Sequence, residues 1–140
     1  MRAIGVDIGG TGLRAAVFDP ASSGALLVRD GLVPTPEGVA EAVADAVASL
    51  GGADCIGVGI PGFVRDGVVL GSPNLPALDG EAMQKRLTHR LGCPVHLVND
   101  ANAAAMGAWK DEGRGQDLLV LTLGTGVGGG LILNGRVWTG

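Results

Sequence analysis

The sequence predicts an α/β protein built on a mixed five-stranded sheet. Three observations carry that expectation. Residues 3–18 read as strand, glycine turn, strand. Ile4, Val6 and Ile8 alternate with Ala3, Gly5 and Asp7; after Gly9-Gly10-Thr11-Gly12, Leu13, Ala15 and Val17 alternate with Arg14, Ala16 and Phe18. That is the period of two of a pleated strand. Further on, segments of helical period alternate with short apolar runs, as parallel crossovers require. A strand, Gly/Thr turn, strand pattern then returns over residues 118–133, a short internal echo of the first.

The remaining elements follow in order. Residues 19–24 form a turn and residues 25–33 a third strand, which the short connections make an antiparallel neighbour of the second. Thr35 is placed to cap a helix, with Pro36 at its first position. Val39, Val43, Val47 and Leu50 share one face of it, and Gly51 stops it. Residues 54–60 are a fourth strand, with Ile56, Val58 and Ile60 on one face; Gly57 and Gly59 on the other would let a helix pack close. Pro61-Gly62 ends that strand, and residues 63–70 form a small hairpin turning at Asp66-Gly67. After the loop of residues 71–76, Asp79 is expected to cap a second helix with Met83, Leu87 and Leu91 on its apolar face and Gly92 at its end. Residues 94–98 are a fifth strand, and an alanine-rich helix follows over about residues 101–109. The continuous apolar run Leu118 to Leu123 suits a strand buried on both faces. Gly124 to Gly130 is a second glycine turn, and Leu131 to Leu133 resumes a strand.

This order matches, by fold-level analogy, the ribonuclease-H-like lobe of the actin-like ATPase phosphotransferases, a mixed five-stranded sheet with helices on both faces. Residues 1–116 form that lobe on this reading. Residues 117–140 form the first phosphate-binding hairpin of an incomplete second lobe, with no helix or third strand of that lobe to cover it. The chain taken alone is therefore expected to be inactive as an enzyme.

Composition narrows the function. In 140 residues the apolar fraction is 46% and the charged fraction 17%, which describes a globular chain. A net charge of −4 without a basic stripe argues against nucleic acid as a partner. No apolar run approaches the ~20 residues of a membrane span, and the chain starts on a strand with no signal-peptide pattern. Cys55 and Cys93 have no metal-ligand spacing and read as small buried hydrophobes of a reducing cytoplasm. The expected location is therefore cytoplasmic. The 26 glycines follow no collagen-like period, so they mark turns and close approaches.

Two glycine turns and two polar clusters carry chemistry. Gly9, Gly10 and Gly12 leave backbone N–H groups bare for an anion; Thr11 adds a hydroxyl and Arg14 a cation. Asp7, at the mouth of the turn, could hold Mg²⁺ through water. A hairpin with a glycine turn and no further role is the alternative. Gly124-x-Gly126-x-x-Gly129 formally matches a dinucleotide fingerprint, but that turn must lead into a helix and here leads into a strand. No glycine precedes a Lys-Ser or Lys-Thr pair, so there is no Walker A loop, and the two lysines, Lys85 and Lys110, do not suit a protein-kinase loop. Asp100 stands at a strand-to-helix junction, where a carboxylate caps a helix or meets a ligand at the carboxyl end of a parallel strand. One carboxylate has two oxygens, so both roles stay open. Asn99 and Asn74 are bidentate groups suited to sugar hydroxyls. His89 and His96 read as a helix-surface and a strand residue.

Five motifs occur together and in order: Asp7-x-Gly9-Gly10-Thr11-x-x-Arg14, Gly59-Ile60-Pro61-Gly62, Pro73-Asn74-Leu75, Asn99-Asp100-Ala101-Asn102-Ala103-Ala104, and Leu123-Gly124-Thr125-Gly126-Val127-Gly128-Gly129-Gly130. The set resembles the ROK family (repressors, open reading frames and sugar kinases), in type its bacterial glucokinases, and spans nearly the whole chain. The resemblance implies ATP-dependent phosphorylation of a hexose or N-acetylhexosamine hydroxyl. It implies that Asp100 is the general base and that Gly62, Asn74, Asn99 and Asp100 bind the sugar. It implies that Gly9, Gly10, Thr11, Arg14, Gly124, Thr125 and Gly126 line the ATP phosphates, with Asp7 near Mg²⁺. The family's Glu-x-Gly-His motif and structural zinc cluster, which lie beyond the second hairpin, do not occur in these residues. The other reading of the resemblance is the sugar-sensing domain of a ROK repressor, in which a winged helix precedes the first strand. The sequence does not decide which sugar is bound, nor whether the protein assembles into a homo-oligomer.

Overall fold

A computed structural model describes residues 1–18, 26–30, 34–111, 115, 117–124 and 126–139, with 26–30 described as backbone. The turn expected over residues 19–24 and the ends of the third strand lie outside these. The chain divides into two compact units, Met1–Val98 and Asn99–Gly140.

The first unit carries a five-stranded sheet in the order β3-β2-β1-β4-β7, with β1 Ala3–Ile8, β2 Gly12–Phe18, β3 Leu26–Asp30, β4 Cys55–Ile60 and β7 Val95–Asn99. β1 pairs antiparallel with β2 and parallel with β4, and β2 pairs antiparallel with β3. The period-two reading holds in detail: Ile4, Val6 and Ile8 of β1, Leu13, Ala15 and Val17 of β2, and Ile56, Val58 and Ile60 of β4 are all buried. Helices α1 (Pro36–Ser49) and α2 (Met83–Leu91) complete this core with Val39, Val43, Val47, Met83 and Leu87. Thr35 caps α1 as expected, its hydroxyl accepting from Gly38 N–H at 3.1 Å. The opposite end of α1 is held by a residue far away in sequence. The Arg2 guanidinium donates to the carbonyls of Leu50, Gly51 and Gly52, groups that a helix end otherwise leaves to water.

Two local expectations change. Asp79 does not cap α2, whose N-cap is Ala82 with no side-chain bond. Instead, Asp79 follows a 3₁₀ turn at Pro76–Leu78, and its Oδ1 accepts from Ser72 N–H at 2.7 Å. Gly57 does not seat a helix: a Cβ there would meet nothing within 4 Å among the described residues. The small hairpin of β5 (Phe63–Arg65) and β6 (Val68–Gly71) forms as read. Its turn has φ 51° at Asp66 and 76° at Gly67, the left-handed pair that suits a strand twist. Cys55 and Cys93 are free thiols, half-buried rather than fully buried. Among the described residues no helix is long and apolar enough to cross a membrane.

The second unit is α3 (Asp100–Asp111) with a three-stranded antiparallel sheet in the order β10-β9-β8, from β8 Leu118–Leu123, β9 Val127–Leu133 and β10 Arg136–Trp138. The final hairpin is therefore not bare, as the sequence reading had it: α3 packs on β8 and β9, and β10 supplies a third strand. The physical reason is a glycine flank on β9. A Cβ on Gly130 would lie 2.4 Å from the Ala101 carbonyl oxygen, so only glycine lets α3 approach this closely. Nor is β8 buried on both faces. Its residues alternate between half-buried and exposed, with Leu119, Leu121 and Leu123 on the outward face.

Candidate functional site

In the first unit, β1 and β2 are joined by Gly9-Gly10-Thr11. Gly9 N–H donates to Gly12 O at 2.7 Å, closing the turn on itself. That amide is thus taken up by the hairpin, while the N–H groups of Gly10 and Thr11 have no backbone partner among the described residues. Gly9, Gly10 and Thr11 are exposed. Asp7 and Arg14 stand directly opposite one another in the ladder, both exposed, one residue below the Ile8–Leu13 pair that leads into the turn. The turn thus presents bare amides and a hydroxyl above a carboxylate facing a guanidinium.

The loop that carries Asn74 is held from both ends. Ser72, 2% exposed, receives Leu75 N–H on its Oγ at 3.2 Å, and Leu75 itself is buried. Asn74 lies between these anchors and is exposed, so its position is set by buried neighbours. A Cβ on Gly10 would stand 3.4 Å from Asn74 Cβ, which puts this asparagine against the glycine turn. Gly62 closes the same neighbourhood. Its φ is +121°, and a Cβ there would lie 2.2 Å from Gly71 O and 2.8 Å from Ser72 Cα. Only glycine lets the end of β4 lie on the backbone of the Asn74 loop.

In the second unit, the strand-to-helix junction divides its hydrogen bonds between Asn99 and Asp100. Asn99 is the helix cap: its Oδ1 accepts from Asn102 N–H at 3.0 Å, three residues on. Asp100 is the first residue of α3, where a carboxylate complements the positive end of the helix. Its Oδ1 accepts from Ala101 N–H at 2.8 Å and from the Asn99 amide at 3.0 Å. Both bonds fall on one oxygen, and no bond to Oδ2 is made among the described residues. An oriented carboxylate with one oxygen spare, half-buried, can accept a proton from a hydroxyl laid against it. The alternative in which Asp100 is only the cap is therefore replaced by a cap at Asn99.

Gly124 N–H donates to Gly126 O at 2.9 Å, so the second turn also closes on its first glycine. Gly126 is exposed, and Thr125 lies outside the described residues. Among the described residues no group of three or more His, Cys, Asp or Glu side chains converges as a metal cluster would. The residue that sequence reasoning missed is Ser72, the buried hydroxyl that fixes the Asn74 loop; its signal was the Ser-Pro-Asn turn spacing.

In sequence and fold the chain is similar to several known proteins. A ROK family glucokinase from Streptomyces griseus, in complex with glucose and AMPPNP, superposes with a TM-score of 0.84 at 38% identity, over 100% of this chain and 47% of that one. A ROK hexokinase from Thermus thermophilus gives 0.84 at 36%, over 100% and 49%. An N-acetyl-D-glucosamine kinase of Escherichia coli is 43% identical over 97% of this chain and 48% of its own length. The fold is the mixed α/β fold of the actin-like ATPases. The ROK family profile matches residues 3–140, and the chain belongs to the ROK family. It spans about half the length of the curated relatives it matches.

Proposed function

We propose that this chain belongs to a sugar kinase that transfers the γ-phosphoryl group of ATP to a hydroxyl of a hexose or N-acetylhexosamine. The observation that carries the reading is the junction at Asn99-Asp100, where the cap is made by Asn99 and the Asp100 carboxylate keeps one oxygen for chemistry. Relatives named as glucokinase, hexokinase and N-acetyl-D-glucosamine kinase support it.

In this mechanism Asn74, Asn99 and the Gly62 backbone hold the sugar, and Asp100 Oδ2 accepts the proton of the attacking hydroxyl. The new bond joins the sugar hydroxyl oxygen to the γ-phosphorus, and the bond from that phosphorus to the β-γ bridging oxygen breaks, so that ADP leaves. The amides of Gly10, Thr11 and Gly126, the hydroxyls of Thr11 and Thr125, and the Arg14 cation neutralise the phosphates. Gly9 and Gly124 shape the two turns. Phosphoryl transfer depends on such positioning and charge neutralisation more than on covalent help. Asp7 fits Mg²⁺ held through water, because that ion keeps several waters and needs only one or two carboxylates beside the phosphates. Bound there, the ion would offset charge developing on the phosphate oxygens. A cytoplasmic location suits a reaction that consumes ATP.

The test is phosphorylation of glucose, mannose, N-acetylglucosamine and N-acetylmannosamine by the polypeptide of the whole reading frame that encodes this chain. ATP-dependent formation of a sugar phosphate is expected there, and no turnover from residues 1–140 alone. Sugar binding without any phosphorylation would contradict the kinase and favour a sugar-sensing domain.

A further inference from the structure

The Gly-rich flank of β9 is longer than a phosphate turn needs. Gly128 and Gly130 lie past the turn, in the body of the strand, on the face toward α3. A Cβ on Gly130 would stand 2.4 Å from Ala101 O and 2.6 Å from Ala105 Cβ; one on Gly128 would stand 3.1 Å from Ala101 Cβ and 2.5 Å from Thr122 Oγ1. Gly129, between them, faces the other way, and a Cβ there finds only ordinary contacts, the nearest 3.6 Å away at Leu121 Cδ2. Strand interiors disfavour glycine, so close approach is the reason for it: of the Ala101 backbone at 130, and at 128 of the Ala101 methyl and the Thr122 hydroxyl, the latter a side-chain end that can rotate away. The residue pressed against both is Ala101, whose N–H holds Asp100 Oδ1 at 2.8 Å.

We infer that Gly128 and Gly130 are positioning residues that set how far the first turn of α3 stands from β9, and so place Asp100 in one frame with the turn at 124–126. The inference rests on the kinase reading for its effect on turnover, though not for the packing itself. A shift of a few tenths of an ångström at Ala101 passes directly to the carboxylate it holds. Proton transfer and in-line attack tolerate little misplacement, about 1 Å being able to cost about 10²-fold in rate.

Gly130→Ala forces backbone to move and is expected to fold poorly, so Gly128→Ala is the informative variant. In the polypeptide of the whole reading frame, it should lower kcat by about tenfold with the KM values for sugar and ATP within about twofold of wild type. Gly129→Ala should match wild type. Adding Ala101→Gly to Gly128→Ala removes the opposing methyl and should recover most of the lost kcat, whereas Ala101→Gly alone should not raise it. In the 140-residue chain, Gly128→Ala should move the amide resonances of residues 100–102 and Gly129→Ala should leave them in place; this readout needs no activity. A folded Gly128→Ala with wild-type kcat, or a loss that Ala101→Gly does not recover, would overturn the inference. So would equal resonance shifts in the 128 and 129 variants. Absence of phosphorylation in wild type would overturn the kinase reading alone, leaving the resonance shifts to judge the packing.

Discussion

Asn74 lies against Gly10: the distance from a Cβ built on Gly10 to Asn74 Cβ is 3.4 Å. The group proposed to hold the sugar and the turn proposed to take the phosphates are neighbours within one unit, although they stand 64 positions apart in the sequence. An alanine at position 10 just fits beside Asn74, while a valine must displace it.

Gly10→Ala should therefore weaken nucleotide binding by about tenfold and leave sugar affinity unchanged, because its methyl blocks only anion approach to the amides. Gly10→Val should weaken both. Separate calorimetric titrations of sugar and nucleotide check this, and a valine variant that loses nucleotide affinity alone would separate the two sites.

Gly62→Ala should destabilise the protein by at least about 2 kcal/mol, since left-handed strain adds to a collision with Gly71 O at 2.2 Å. Gly57→Ala should be neutral or gain about 0.5 kcal/mol, being a strand-interior glycine with open space around it. Urea unfolding of the pair measures the difference; equal midpoints would mean that the end of β4 does not rest on the Asn74 loop.

Burial pushes the Cys93 thiol above the ordinary value of 9.0, and the neighbouring Cys55 and Asp54 push in the same direction. The native state then binds this proton more tightly than the unfolded chain does. Its contribution to stability is complete below pH 9.0 and is lost as pH rises through the raised value. Iodoacetamide should label Cys93 more slowly at pH 8 in the native protein than in urea, because the thiolate is the nucleophile. Native labelling as fast as in urea would contradict that burial.

Much of the first unit was legible because its signals are local. Thr35-Pro36 starts a helix, Asp66-Gly67 turns a hairpin, and Ile4, Val6 and Ile8 alternate without a break. What was not legible depends on contacts distant in the chain. Arg2 closes the end of α1 from 48 residues away. Asp79, a good cap by type, is drawn instead to Ser72. Asn99 and Asp100 both suit a cap, and only helix register, through Asn102 N–H, chooses Asn99. The apolar run Leu118–Leu123 shows no period, so its single covered face was hidden. Ala101 and Ala105 follow β7 directly, yet they pack on Gly128 and Gly130; nothing local says which sheet a short alanine-rich helix will join.

The most direct test of the account is Asp100→Asn in the polypeptide of the whole reading frame, with kcat and sugar affinity measured on the same preparation. Asparagine keeps an oxygen to accept from Ala101 N–H, and Asn99 keeps the cap, so α3 should stay in place. The proton acceptor is lost, and general-base help is worth about 10²–10⁴-fold. The account predicts that kcat falls by about 10²-fold or more while sugar affinity changes by less than about threefold. Turnover close to wild type in the folded variant would contradict it.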